Sequence, residues 1–119
     1  MSEWKKFFLP DLFDVQIGGT PSRAVRQYWA EDNDRQSILW VSIADMFNNR
    51  VIFNTKEKIT HDGFNSSNAK IIPKGILLFS FKLTIGRLAF SGVELTTNEA
   101  IAALIPNKGS VEPLLIYYV

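Results

Sequence analysis

The stretch from Pro73 to Pro106, PKGILLFSFKLTIGRLAFSGVELTTNEAIAALIP, constrains the chain more than any other. From Ile76 to Leu83 its residues alternate. Leu77, Phe79, Phe81 and Leu83 fall on one side of a strand, and Ile76, Leu78, Ser80 and Lys82 on the other. Thr84-Ile85-Gly86 interrupts the run, and Arg87 to Gly92 predicts a second strand with Leu88 and Phe90 on one side. A third apolar run, Ala100 to Ile105, ends at Pro106 and Asn107. The pattern predicts a sheet that builds a core and carries Lys82 and Arg87 at its rim.

The remaining segments predict a mixed α/β, strand-rich fold: a small α+β domain with an antiparallel or mixed sheet and short helices. Val15 to Ile17 is a β-favouring run stopped by Gly18-Gly19, and Thr20-Pro21-Ser22-Arg23 follows as a turn with a fixed proline φ. Ala24 to Ser37 is polar and reads as a loop with at most a short helix. Ile38 to Ala44 reads as one buried strand, Asp45 to Arg50 as a turn, and Val51 to Lys58 as a further strand. Thr60 is placed to cap a short helix running toward Asn68, which Gly63 weakens. Pro113 suits the first turn of a helix through Tyr118.

At 119 residues the chain is read as a single domain, 1–119, large enough to bury a core. It contains no cysteine, which excludes disulfides and cysteine-based zinc sites and is compatible with a reducing cytoplasm. No apolar run approaches the roughly 20 residues that span a bilayer, so no membrane partner is expected. The formal net charge is +1, but its distribution is uneven. Between Asp62 and Glu94 lie Lys70, Lys74, Lys82 and Arg87 with no acidic residue, a segment suited to local phosphate contact. A solvated sheet face is the simpler account of the same charges.

Catalytic patterns are missing. No HExxH, phosphate-binding P-loop or GxSxG sequence occurs. The acidic-x-Lys arrangement of metal-dependent nucleases occurs at Glu3-Trp4-Lys5 and nowhere after Pro10-Asp11. His61, the single histidine, stands beside Asp62 in a polar turn. The residues read as a binding domain, without catalytic residues, metal or cofactor.

Six separated groups of residues together resemble one family. They are Gly18-Gly19-Thr20-Pro21-Ser22-Arg23 with Tyr28-Trp29, then Trp40-Val41-Ser42-Ile43-Ala44-Asp45, then Ile59-Thr60 with Gly63. Lys70 to Gly75, Ser80 with Thr84-Ile85-Gly86-Arg87, and Thr97-Asn98-Glu99-Ala100-Ile101 complete the set. Their order and spacing are similar to the target recognition domain of type I restriction-modification specificity subunits. The resemblance implies sequence-specific binding of duplex DNA in the cytoplasm, with methylation and restriction subunits as partners that hold the chemistry. Such subunits join two recognition domains through long helices, so the chain is expected to lack the connecting helix and to be incomplete at its C-terminus. Glu99 departs from the glutamine usual after Thr-Asn; a structural part at a strand end is expected of it.

Members of a family that read different sequences cannot hold their specificity in shared positions. Gly18, Gly19, Pro21 and Gly86 are therefore read as backbone-geometry positions, Tyr28 and Trp40 as packing residues, and Asp45 as a cap. Ser80, Lys82, Arg87 and Ser91 would share one face of a hairpin whose turn is Thr84-Ile85-Gly86. The candidate DNA contacts are Arg23, Arg26, Lys70, Lys74, Ser80, Lys82 and Arg87, in roles that position the duplex without specifying bases. Two alternatives remain open. One is an interaction module that docks on a methylation subunit or associates with itself without tight DNA binding. The other is a recognition part of a single-chain enzyme whose catalytic residues lie outside these 119.

Overall fold

The computed structural model describes residues 13–31, 34–47, 49–81 and 86–106. The helix expected from Pro113 lies outside them. Among the described residues the strands are β1 (Phe13–Ile17), β2 (Ile38–Val41), β3 (Val51–Ile52), β4 (Glu57–Ile59), β5 (Leu77–Ser80), β6 (Arg87–Ser91), β7 (Thr96–Thr97) and β8 (Ile101–Pro106). The helices are α1 (Ile43–Phe47) and α2 (His61–Asn65), with a 3-10 turn at Arg26–Tyr28. A five-stranded sheet has the order β1-β8-β5-β6-β3, and a three-stranded one the order β4-β2-β7. Both sheets are mixed. The β6–β3 and β2–β7 pairs are parallel and the others antiparallel. The expected strand-rich α+β class is the one observed.

The alternation of the central stretch sets the two faces of the larger sheet. Leu78, Ala89 and Ala103 are cross-strand partners on one face, where they join Ile76 and Ile101. Val41, Met46, Ile52, Ile72 and Leu95 close over them to form the main core. Fully burying each large aliphatic side chain contributes about 1.5–3 kcal/mol. A smaller core holds Trp40, Ile59 and Ala69, with Trp29, Ile38 and Phe64 packed against it. The opposite face of the larger sheet is also apolar: Leu77, Phe90 and Leu104 stand in one row and Phe79, Leu88 and Ala102 in the next.

Two expected strands are cut short for local reasons. The run Ile38 to Ala44 leaves the sheet at Val41 because the Asp45 side chain reaches back to Ser42, as the acidic half of a capping box does. The Asp45 carboxylate accepts the Ser42 N–H at 2.9 Å and the Ser42 hydroxyl at 3.2 Å, which starts α1. Val51 to Lys58 divides into β3 and β4, which belong to different sheets. Thr60 caps α2 as expected, its hydroxyl oxygen accepting the Gly63 N–H at 3.1 Å, but the helix ends at Asn65. Gly63 has a second reason to be glycine, since a Cβ there would overlap the carbonyl oxygen of Tyr28.

Candidate nucleic-acid interface

The Gly18-Gly19 turn is where the first and last resemblance groups meet. Gly18 N–H donates to the Ile101 carbonyl at 3.4 Å and Gly19 N–H to the Thr97 carbonyl at 3.0 Å. Neither glycine has a positive φ; among the described residues that conformation belongs to Gly75, at φ +84°. Contact is what demands glycine here. A Cβ on Gly19 would stand 2.6 Å from the Asn68 carbonyl carbon, and one on Gly18 would overlap Thr97. The backbone geometry expected of these two glycines is thus one of close approach. Trp40 is 2% exposed and donates its indole N–H to the Gly19 carbonyl at 2.9 Å, a packing residue with its polar atom satisfied. Thr20 donates its hydroxyl to the Glu99 carboxylate, so Glu99 ties the turn to the approach of β8.

Arg23 belongs to the same cluster. Its guanidinium bonds both Glu57 carboxylate oxygens, at 2.5 and 3.1 Å. It also lies 4.2 Å from the ring centroid of Trp29 and 5.2 Å from that of Trp40. The two indoles meet edge-on at 5.0 Å, and Trp29 donates its N–H to the Ser22 carbonyl at 3.1 Å. The hydrogen bonds that Arg23 donates to Glu57, aided by the charges of Glu57 and Glu99, raise the Arg23 pKa against partial desolvation. Arg23 is therefore a fixed cation with a forked partner. Glu57, 34 residues away, carries no local sequence signal that could have announced it.

The other sequence-predicted residues separate in space. Cross-strand pairing sets Ile101, Ser80 and Arg87 in one row, with Gly18 bonded to Ile101 at its end. Lys70 reaches that end too, donating to the Ile17 carbonyl at 3.2 Å and the Asn68 carbonyl at 3.4 Å. Arg26 is exposed at the start of the 3-10 turn. Lys74 is exposed at the opposite end of β6, where the Gly75 N–H donates to the Ser91 carbonyl at 2.6 Å. Lys82 lies outside the described residues. The structure brings Lys70 and Arg23 to one turn and Arg87 to the same end of the sheet, but not Lys74.

Ser80 needs correction as a contact residue. The face expected for Ser80, Arg87 and Ser91 is a shared one, yet it is the core face. Ser80 is 0% exposed, and its hydroxyl oxygen accepts the Arg87 N–H at 2.9 Å. Ser91 is likewise buried, accepting the Ile76 N–H at 2.9 Å and donating to the Pro73 carbonyl at 2.7 Å. Neither hydroxyl is available to phosphate. Arg87 escapes burial at the rim, where its guanidinium covers the Phe47 ring at 4.6 Å.

The fold and these positions define a small strand-rich domain that presents basic and amide side chains from the turns around two sheets. The chain belongs to the family described as the type I restriction modification DNA specificity domain, whose model matches residues 1–119. It is 30% identical over 117 residues to the type I restriction enzyme MjaIX specificity subunit of Methanocaldococcus jannaschii, covering 97% of this chain and 26% of that one. It is 27% identical over 104 residues to the HindI specificity subunit of Haemophilus influenzae, covering 87% and 22% respectively. The fold is that of the HsdS subunit from Thermoanaerobacter tengcongensis, with a TM-score of 0.66, 20% identity, and coverage of 94% and 26%. The chain thus spans about a quarter of the length of these relatives.

Proposed function

We propose that residues 1–119 form one recognition domain that binds duplex DNA sequence-specifically within a type I restriction-modification complex in the cytoplasm. It is non-catalytic in this reading, uses no cofactor, and leaves methylation and restriction to partner subunits. The observation that supports this best is the match of the specificity-domain family to the whole chain. The distribution of charge agrees with it. Arg26, Lys74 and Arg87 are exposed cations that can hold phosphate oxygens, whereas Arg23 is engaged by Glu57 and Ser80 is buried. No helix among the described residues is long and apolar enough to cross a membrane.

Titration of a random duplex at increasing salt tests the reading. Log affinity should fall linearly with log salt, and Arg87→Ala and Lys74→Ala should each reduce the slope by about 1. No binding at low salt overturns it.

One observation favours a second reading, an interaction module that docks on a methylation subunit or on a second copy. Val15, Ile17, Val51 and Leu88 share the outer face of the larger sheet, each between 41% and 48% exposed. Copurification with a methylation subunit, or a dimer in sedimentation, together with absent DNA binding would select it.

A further inference from the structure

The connection from α1 to β4 has the chemistry of a base-reading loop. Between Met46 and Lys56 the sequence carries Arg50 and Lys56 and no acidic residue. The two acids that bracket it, Asp45 and Glu57, are both turned to internal partners. Asp45 is buried and accepts the Lys56 N–H at 3.0 Å in addition to its bonds to Ser42. Glu57 holds Arg23. Neither therefore sets a free carboxylate against an approaching phosphate.

Internal bonds also anchor its described residues. Asn49 donates its amide to the Asp45 carbonyl at 2.8 Å. Thr55 accepts the Trp40 N–H at 3.3 Å and donates to the Glu57 carbonyl at 2.6 Å. Between these anchors Phe53 is 66% exposed, the largest value among the exposed large hydrophobics of the described residues. Its ring lies over Gly92, where a Cβ would stand 2.6 Å from Phe53 Cε1, so it is propped outward against a bare backbone. Asn54 is exposed beside it and makes no side-chain hydrogen bond to the described residues. Ala44, Asp45, Asn49, Phe53, Asn54, Thr55 and Lys56 line one open depression, in which the Asp45 carboxylate is occupied by the Ser42 and Lys56 N–H groups. The Gly75 N–H, next to Lys74, donates to the carbonyl of Ser91, the neighbour of Gly92.

An amide that can pair with the N6 and N7 edge of adenine, an aromatic ring that can meet a thymine methyl, and flanking cations are the groups needed to read an A·T pair in the major groove. A preorganised backbone lets them do so without ordering a loop on binding. The segment also lies between the groups Trp40–Asp45 and Ile59-Thr60, outside the positions that build the scaffold. Resting on the DNA-binding reading above, we infer that the segment 53–56, between β3 and β4, reads bases, with Asn54 as the adenine-recognising amide, Phe53 as the apolar contact, and Lys56 on a flanking phosphate.

Selection from a randomised duplex library, with sequencing of the bound fraction, tests this on the whole chain. Wild type should enrich a motif containing an A·T pair. Asn54→Ala should lose roughly 5- to 100-fold of the preference at one position, and Phe53→Ala should weaken preference at a neighbouring one. Thermal melts of the variants within a few degrees of wild type would show that they fold. Unchanged motifs in both variants, or wild-type binding without base preference, overturn the inference while the DNA-binding reading stands. No wild-type binding to any duplex at low salt overturns both.

Discussion

The indole N–H of Trp40 donates to the carbonyl oxygen of Gly19 at 2.9 Å, 21 residues away in sequence. This one bond joins the Gly-Gly-Thr-Pro turn to the central strand of the smaller sheet. It also explains why a tryptophan, and not another large apolar residue, occupies that core. Trp40→Phe keeps a ring but orphans a buried carbonyl, and should cost about 1–3 kcal/mol. Urea unfolding would show the loss as a lower midpoint with an unchanged slope.

Ser80 and Arg87 are cross-strand partners with opposite duties, and their variants should part accordingly. Ser80→Ala removes the buried hydroxyl that accepts the Arg87 N–H and should destabilise by about 0.5–1.5 kcal/mol, without altering the salt dependence of DNA binding. Arg87→Ala should cost under about 1 kcal/mol of stability, the value of an exposed cation–π contact, while lowering the salt slope. Unfolding and binding titrations on the same two proteins separate the roles.

Asp45 gathers backbone donors from Ser42 and Lys56 on one carboxylate. Asp45→Ala frees both, at about 1–3 kcal/mol each, and releases the connection that ends at β4. Hydrogen exchange should then report faster amide exchange at Lys56 and Ser42, with β6 and β8 little changed.

The Arg23–Glu57 pair is forked but exposed, its side chains 58% and 40% accessible. A double-mutant cycle with Arg23→Ala and Glu57→Ala should therefore yield a coupling of no more than about 1 kcal/mol, falling with salt. The sign with pH follows from the raised Arg23 pKa. Its contribution is complete below the ordinary arginine range and is lost only as pH rises through the folded value. Stability curves of wild type and Arg23→Ala should run parallel through neutral pH.

Much of the larger sheet is legible in the sequence, because strict alternation fixes both strand type and face. The runs read as Val15 to Ile17, Arg87 to Gly92 and Ala100 to Ile105 fall on the strands Phe13–Ile17, Arg87–Ser91 and Ile101–Pro106, and Leu78 and Phe79 point to opposite sides. The same alternation puts Ser80 on the side of Ile76 and Leu78, a sign of burial that its hydroxyl obscures. Ile38 to Ala44 misleads because apolar content outweighs the capping pair Ser42 and Asp45, which carries the break. What no local pattern contains is the pairing of distant pieces. The meeting of β2 with β7, the approach of Thr97 to Gly18, and the bond of Glu57 to Arg23 depend on tertiary geometry. The site is less legible for that reason, since burial and ion pairing decide which cations remain for a ligand.

The antiparallel register of β1 and β8 sets Phe13 opposite Pro106. A polypeptide that passes through this fold thus arrives and departs on neighbouring tracks at one end of a single strand pair. Such a cassette can sit inside a longer chain and be exchanged for another without altering the path on either side.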